Sequence, residues 1–313
     1  MRRKVIQIAD STQLISLPRK WAQKHGIKKG DEIEVTEQGN KLLISTQSTP
    51  NLGMVEVDVT GLDRDSIMFF LRALYKDGYD EIKINFKQPT CENIRDNTNE
   101  NVMQVIQHEL SRLNGMEIFT QRENHCIIRT ISEDTTKVFD TMLRRIFLLV
   151  AETVGDLVEG YEKGNTALLQ TIQNKHDTIT MFVSYSQRLL NKIGTQEYRK
   201  NNALYHILEM IDTMMDLVKY NARDILKNKL KASREGLEIY KEIHSSFNIY
   251  YDLHYNFSMK KMYEINRKRY AILDKIQRAH KKISKEELGI LVNMEQMLEY
   301  VLNMVNTRVS LEY

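Results

Sequence analysis

The sequence predicts a mixed, mainly α-helical protein that begins with a small β-rich module and continues through a short α/β segment. Two observations predict this class. The three prolines all lie before residue 90, which leaves the last 224 residues without a helix breaker. Before residue 131, apolar and polar residues alternate in the short runs typical of strands. A composition of 42% hydrophobic and 28% charged residues indicates folded cores rather than a disordered chain.

The first part of the chain, residues 1–47, is predicted to be the β-rich module, with a linker at 48–52. A core of this size is marginal in a single chain, so the module is expected to need help, such as a second copy. The expected elements are strands at 5–8, 13–17, 31–36 and 41–45, a hairpin turn at 38–40 and one helical turn at 21–25.

The second part, residues 53–131, alternates strand and helix patterns and is predicted to be a small α/β domain. It has no glycine-rich loop with the spacing that holds a nucleotide phosphate. The sequence does not decide whether this domain is a spacer or binds a ligand. The expected strands are 54–59, 81–86, 116–121 and 126–130, and the expected helices are 63–75 and 101–113.

The third part, residues 132–313, is predicted to form six helices. Short connections between helices give antiparallel neighbours and hence a bundle. Glycines mark several of the breaks, at Gly160, Gly164, Gly194 and Gly236. The expected spans are 134–160, 164–193, 197–228, 232–257, 259–282 and 285–311.

An internal repeat divides this helical part into two halves, about 132–228 and 232–313. Its third and sixth helices superimpose at an offset of 83 residues, with apolar residues spaced 3-4-3-4 as in a packing seam. The matched seams are Leu208, Ile211, Met215, Val218 and Ala222 with Leu291, Met294, Leu298, Val301 and Val305. The preceding helices match loosely at an offset of 90, which aligns Arg188 and Lys192 with Arg278 and Lys282. The body is therefore predicted to be two tandem three-helix bundles.

Both seam helices carry carboxylates one position past the seam. Asp212 and Asp216 match Glu295 and Glu299. Like charges four residues apart are mildly unfavourable on a helix, so a repeated pair needs a reason. One reason is a metal site, because carboxylate oxygens suit magnesium, manganese or iron ions. The alternative is a pair of solvated carboxylates on each helix.

Positive charge is concentrated at the N-terminus, although the whole chain has a net charge of only +3. Residues 1–30 contain eight basic residues and one acid. Lysines and arginines can neutralise DNA phosphates, so this module is a candidate DNA-binding surface. The alternative is a solubilising surface. The candidate cations are Arg2, Arg3, Lys4, Arg19, Lys20 and Lys24.

Several other classes of protein are disfavoured. The longest apolar run, residues 146–151, is too short to span a membrane, and no apolar stretch follows the basic start as in a signal peptide. Two cysteines cannot form a disulfide framework. No acid stands three residues before a histidine, as di-iron bundles require. We therefore expect a soluble, cytoplasmic protein without enzymatic activity.

The helical part resembles the PhoU family of phosphate-uptake regulators, which consists of two repeated three-helix bundles. In that family the last helix of each repeat carries a Glu-x-x-x-Asp-x-x-x-Asn-like motif that binds metal clusters. The corresponding residues here are Asp212-x3-Asp216-x3-Tyr220 and Glu295-x3-Glu299-x3-Asn303. The resemblance implies divalent or iron-type metal ions held by Asp212, Asp216, Glu295, Glu299 and Asn303.

The N-terminal part resembles the SpoVT-AbrB (MazE-like) DNA-binding domain, in which two chains interlock their hairpins to close one barrel. The matching residues are the run from Arg3 to Ala22, including Ser11, Ser16-Leu17-Pro18 and Arg19-Lys20, followed by Gly26 to Asp31. The resemblance implies a homodimer through these hairpins and adds Ser11 to the DNA-contacting residues. The combination of this domain with a PhoU-like body resembles archaeal phosphate uptake regulators.

Three functions follow from these resemblances. The first is a DNA-binding regulator of phosphate homeostasis that senses phosphate status through the helical body. The second is an adaptor that binds a phosphate transporter or kinase, with the N-terminal barrel serving only for dimerisation. Ala9 and Asp10 stand where the barrel family has glycines, and an acid there favours the adaptor. The third, an antitoxin, is disfavoured by the long helical body.

A second basic region lies at residues 259–285. It contains ten basic residues against Glu264 and Asp274. Such a run is usually a solvated helix face, and the alternatives are a docking face for an acidic partner or a second nucleic-acid contact.

Overall fold

The chain divides into two compact units, residues 1–50 and residues 51–313. The computed structural model describes residues 2–8, 12–38, 41–46, 53–132, 134–135, 138–195, 197–280 and 282–313. Within those ranges, no helix is long and apolar enough to cross a membrane.

The first unit contains two short hairpins and one short helix. Strand β1 pairs antiparallel with β2, and β3 pairs antiparallel with β4. The third predicted strand starts later than expected, because the backbone N–H of Lys28 donates to Asp31 Oδ2 (2.7 Å) and closes a turn there. None of the described residues of this unit is buried. The elements are β1 (Ile6–Ile8), β2 (Thr12–Leu14), α1 (Arg19–Lys24), β3 (Glu34–Gln38) and β4 (Lys41–Ser45).

The second unit begins with an α/β segment built on a four-stranded sheet. The strand order is β5-β6-β10-β9, with β5 parallel to β6 and the other pairs antiparallel. Ile82, Ile84 and Ile128 are buried in its core. The elements are β5 (Met54–Asp58), α2 (Arg64–Asp77), β6 (Glu81–Asn85), β7 (Thr90–Asn93), β8 (Thr98–Asn101), α3 (Val102–Leu110), β9 (Met116–Gln121) and β10 (His125–Thr130).

Local signals set the ends of helix α2. The Asp63 carboxylate accepts the backbone N–H groups of Asp65 and Ser66, which caps the first turn. Gly78 ends the helix with a φ of 100°, a left-handed conformation that favours glycine. The β7–β8 hairpin was not expected from the sequence, because its residues are mostly polar and lack the alternation that marks a half-buried strand.

The rest of the second unit is the predicted helical body. Helices α4, α5 and α6 contact one another, as do α7, α8 and α9, and the two groups meet through α6 with α9 and α4 with α7. The predicted two three-helix bundles are therefore confirmed. The helices are α4 (Phe139–Lys163), α5 (Thr166–Lys192), α6 (Asn201–Asn228), α7 (Arg234–Tyr255), α8 (Met259–Ala279) and α9 (Lys285–Glu312), with a 3-10 turn at Tyr198–Lys200.

Both predicted seams are buried along their whole length. Every seam residue of α6 and α9 is at most 6% exposed, and these two central helices pack against each other. Asn221 lies at this contact, where it accepts a hydrogen bond from the Asn293 side chain (2.6 Å). A buried polar pair of this kind fixes the register of two apolar helices.

Candidate functional site

The predicted DNA-binding cations all lie on the surface of the first unit. Arg2, Arg3 and Lys4 precede β1, and all three are exposed. Arg19, Lys20 and Lys24 belong to α1 and are exposed as well. Within the described part of the chain, none of the six has an ion-pair partner, so their charge is available to a ligand. Ser11 falls outside the described residues.

Helix α1 owes its position to its flanking residues. Pro18 occupies the N-cap position with a φ of −62°, and its carbonyl accepts the N–H of Ala22 (3.0 Å). Gly26 follows the helix with a φ of 67°. These two residues hold the helix to six residues and so place its cations within two turns of one another.

Seven apolar residues of this unit are more than 40% exposed: Val5, Ile6, Ile8, Leu14, Ile15, Val35 and Leu42. None of the described residues of the unit is buried, so these side chains form no core among them. Large apolar side chains exposed in this number favour contact with a further surface. The feature agrees with the expected second copy, and closure of a shared barrel stays a prediction.

The first carboxylate motif lies where the α/β segment meets the first bundle. Asp212 accepts a hydrogen bond from Thr180 Oγ1 (2.8 Å). Asp216 accepts from Lys219 and lies 2.9 Å from His176 Nε2. Burial would raise the pKa of Asp216, but the hydrogen bonds from His176 and Lys219 outweigh it and hold that pKa well below the ordinary value. The motif thus sits beside cations of its own chain.

Further cations come from the α/β segment. Arg112, two residues beyond the end of α3, lies 3.4 Å from Asp177, and His176 Nδ1 lies 3.1 Å from the same carboxylate. Burial of Asp177 is again outweighed by its hydrogen bonds and the charge of Arg112, which lower its pKa to about 2. Arg72 of α2 makes a bidentate pair with the fully buried Glu109 (2.7 and 3.1 Å). We call this group the junction cluster: Arg72, Glu109, Arg112, His176, Asp177, Asp212, Asp216 and Lys219.

The second carboxylate motif has a simpler environment. The Nε and Nη2 atoms of Arg269 donate to the two carboxylate oxygens of Glu299 (2.7 and 2.9 Å). Asn303 is exposed, and Tyr220, its counterpart in the first repeat, is exposed as well. Glu295 is partly exposed and has no ion-pair partner among the described residues.

The residues present do not fit the metal ions that the sequence resemblance implies. Among the described residues, no group of three or more histidines, cysteines and acids is arranged to hold a metal ion. Lys219 pairs with the carboxylate of Asp216, and Arg269 pairs with that of Glu299. A divalent cation that bound there would have to displace these side chains and would be repelled by their positive charge. The geometry gives the metal site no support, and that site stays a prediction.

This arrangement has a measurable consequence. Replacing Lys219 by methionine should lower the free energy of unfolding by about 1–3 kcal/mol, because Asp216 would lose a hydrogen-bonded partner while still half-buried. Urea unfolding of the two proteins measures this difference. EDTA should leave the unfolding midpoint of the unmodified chain unchanged. A midpoint that falls on chelation would show that a metal ion, and not Lys219, balances these carboxylates.

The structure also reveals a charged contact that the sequence did not predict. Arg188 of α5 is fully buried and donates to Asp80 (2.6 Å) and Asp134 (3.2 Å). It also donates to the carbonyls of Tyr75 and Tyr79 (3.0 and 2.8 Å). Lys192, one helical turn later, pairs with the same two aspartates (2.6 and 2.7 Å). We call Arg188, Lys192, Asp80 and Asp134 the anchor; it ties the α/β segment to the first bundle.

The anchor also explains a difference at the start of α4. A helix was expected from residue 134, but α4 begins at Phe139. The Asp134 side chain turns inward to accept from Arg188 and Lys192, and it is 1% exposed. Helical periodicity could not predict this inward position of Asp134, because its partners Arg188 and Lys192 lie more than 50 residues further along the chain.

Comparison with known proteins gives a family match for the N-terminal part and a structural neighbour for the chain. Residues 6–51 match the family described as antidote-toxin recognition MazE, a bacterial antitoxin. A structural match is the phosphate transport system regulatory protein PhoU from Streptococcus pneumoniae, at 18% identity and a TM-score of 0.46, covering 56% of this chain and 93% of that one. A comparison with curated proteins gave no significant match. The chain therefore carries a MazE-like N-terminal domain ahead of a mainly helical body that has a PhoU protein among its structural neighbours.

Proposed function

We propose that this protein is a DNA-binding regulator of phosphate uptake that acts as a homodimer. The DNA-binding part of the proposal is supported by six exposed cations on a MazE-like unit, which have no ion-pair partner among the described residues. The phosphate half is supported by the repeated helical sequence and its resemblance to phosphate-uptake regulators. The body would relay phosphate status, and DNA binding would respond only if that status changes the geometry of the dimer.

Dimerisation is supported by the apolar surface of the first unit. Seven apolar residues of this unit are exposed and none of its described residues is buried, which gives one chain little to hold its strands together. A second copy would cover them, and it would also bring two sets of cations to one duplex. Two sets on one duplex would double the number of phosphates that can be neutralised.

The test is binding of the full chain to sheared genomic DNA over a salt series, followed by sequencing of the retained fragments. The logarithm of the affinity falls linearly as the logarithm of the salt concentration rises. Each lost phosphate contact should make this line less steep by about 0.9. A variant with alanine at the six cations should therefore lose most of the slope. A control variant with alanine at Lys163, Lys227 and Lys241, which lie on the helices, should keep it.

The result separates the regulator from the adaptor. Retained fragments that cluster near phosphate-transport genes, together with a slope that depends on the six cations, would support the regulator. Equal slopes for the six-cation variant and the helix control would refute DNA binding by the first unit and favour the adaptor, whose N-terminal unit only dimerises. The mass of the particle by sedimentation, measured on the same samples, reports the dimer separately.

A further inference from the structure

Helix α8 buries one side against the helical body and exposes the opposite side to solvent. Only Ile265, Ile272, Ile276 and Ala279 of its 21 residues are buried, and they lie on one side of the helix. The opposite side carries Met259, Lys260, Tyr263, Arg267 and Tyr270, all exposed and within an arc of about 100° at 3.6 residues per turn. We call these five residues the outer stripe.

Part of the positive charge of the 259–285 region is neutralised within the chain. Lys261 pairs with Asp252 of α7 (2.5 Å), Lys275 with Glu238 and Glu242 of α7, and Lys282 with Glu235. Arg269 is held by Glu299 of α9. These cations form contacts between neighbouring helices and are not available to a partner.

The outer stripe differs from these paired cations. Among the described residues, neither Lys260 nor Arg267 has an ion-pair partner. Tyr263 and Tyr270 are 67% and 62% exposed, and Met259 is 60% exposed. Arg269 stacks near one face of Tyr270, with 5.2 Å between its guanidinium carbon and the ring centroid. Tyrosine, arginine and methionine are the residue types enriched at the centres of protein interfaces.

We propose that the outer stripe docks an acidic helical segment of another protein. Its two unpaired cations, seven residues apart, are separated by about 10 Å along the helix axis. Two carboxylates at the same spacing on a partner helix would meet them, and an apolar side chain between those carboxylates would rest on Tyr263. This arrangement follows the usual helix-on-helix mode of recognition.

The charge pattern favours a protein over a nucleic acid. Glu264 is exposed beside the stripe, and Asp274, which pairs with Arg278, lies one turn beyond it. A phosphate backbone would meet both carboxylates, whereas a short acidic helix can place its own charges away from them. The tyrosine rings add surface for apolar contact, which a phosphate backbone would not use.

The test uses two synthetic helical peptides as probes. One carries glutamates seven residues apart with a leucine between them, and the other has lysines in place of the glutamates. The full chain should bind the glutamate peptide about tenfold more tightly than the lysine peptide, measured by fluorescence anisotropy. The double variant Lys260→Glu/Arg267→Glu should reverse this preference, and Tyr263→Ala/Tyr270→Ala should weaken binding of the glutamate peptide about tenfold.

Two controls match these changes elsewhere on the helical body. Lys227→Glu alters an exposed charge on α6, and Leu148→Ala removes an exposed apolar side chain on α4. Both should bind like the unmodified chain. Because the stripe residues are exposed, all variants should keep the same unfolding midpoint. The proposal is overturned if the unmodified chain does not discriminate between the peptides, or if the controls weaken binding as much as the stripe variants.

A photoreactive phenylalanine analogue at Tyr263 identifies the occupant in cells. A cross-link into a segment with two acids one or two helical turns apart, lost in Lys260→Glu/Arg267→Glu, supports the proposal. A cross-link into nucleic acid or into a second copy of this chain overturns it. So does a yield no higher than that of the same analogue at Leu148.

Discussion

Replacing Arg188 by methionine should lower the free energy of unfolding by about 3–5 kcal/mol. Methionine fills much of the same space but leaves Asp134 buried without its arginine. The carbonyls of Tyr75 and Tyr79 would also each lose a donor. Lys192 still pairs with Asp80 and Asp134, but its single charge cannot balance two carboxylates, which is why the expected loss exceeds that of an exposed ion pair. Urea unfolding followed by circular dichroism measures it.

The internal repeat supplies a matched control for this change. Arg278 aligns with Arg188 at the offset of 90 residues, yet its side chain is 76% exposed and its ion-pair partner is Asp274 on its own helix. Arg278→Met should therefore change the free energy of unfolding by less than about 0.5 kcal/mol. If the two variants unfold at the same urea concentration, the anchor contributes nothing.

A double variant tests the mechanism of the loss. Adding Asp134→Asn to Arg188→Met removes the buried charge that the single change leaves behind. The two changes should therefore be less than additive, as expected for residues in direct contact. Additive losses would mean that Arg188 acts through packing alone, for instance through its contact with the Tyr75 ring.

The helical body could be predicted because its information is local and periodic. The seams of α6 and α9 follow from apolar spacing alone, and each of their residues is buried as expected. Gly164 and Gly194 stand at predicted breaks between helices, whereas Gly160 and Gly236, which were also expected to mark breaks, lie inside α4 and α7. The β7–β8 hairpin could not be predicted, since one of the two buried residues of β7 is the polar Asn93, whose amide donates to Glu100 (2.5 Å), so no apolar alternation marks the strand.

The chemistry of the carboxylate motifs could not be predicted in the same way. A spacing of four residues places two acids on one helix face, but it does not say what faces them. His176 and Lys219 face Asp216, and Arg269 faces Glu299. Arg188 and Arg278 make the same point, since aligned positions with the same residue type are buried in one repeat and exposed in the other. Their partners are set by tertiary structure, which periodicity does not contain.

Acid should destabilise the helical body between pH 6.5 and pH 4 through His254. This side chain is 8% exposed and packs against the Phe147 ring, with centroids 4.7 Å apart. Burial and, to a lesser degree, the charge of Arg308 lower its pKa to about 4. Tyr250 Oη lies 3.5 Å from its Nδ1, and among the described residues no carboxylate forms an ion pair with this side chain. The imidazole is therefore neutral in the folded protein at neutral pH.

The direction of the effect follows from proton uptake. In the unfolded chain the histidine has its ordinary pKa near 6.5, so between pH 6.5 and pH 4 the unfolded state binds more protons than the folded state. The free energy of unfolding thus falls as the pH is lowered through this window, by about 3 kcal/mol in total. Above pH 6.5 the contribution is complete and no longer changes.

Substitution of His254 by phenylalanine should remove this part of the pH dependence. Phenylalanine keeps the ring contact with Phe147 but takes up no proton, so the difference in unfolding free energy between pH 7 and pH 4.5 should shrink by about 2–3 kcal/mol. Urea titrations at the two pH values measure it, and His206→Phe, on the exposed side of α6, is the control that should keep the full difference. His244, whose pKa burial also lowers, acts in the same direction and accounts for part of what remains. If the unfolding free energy of His254→Phe depends on pH as strongly as that of the unmodified chain, the acid sensitivity arises elsewhere. The carboxylates of the junction cluster would be the next groups to test. Because their pKa values are lowered, the stability that they contribute is lost below about pH 4.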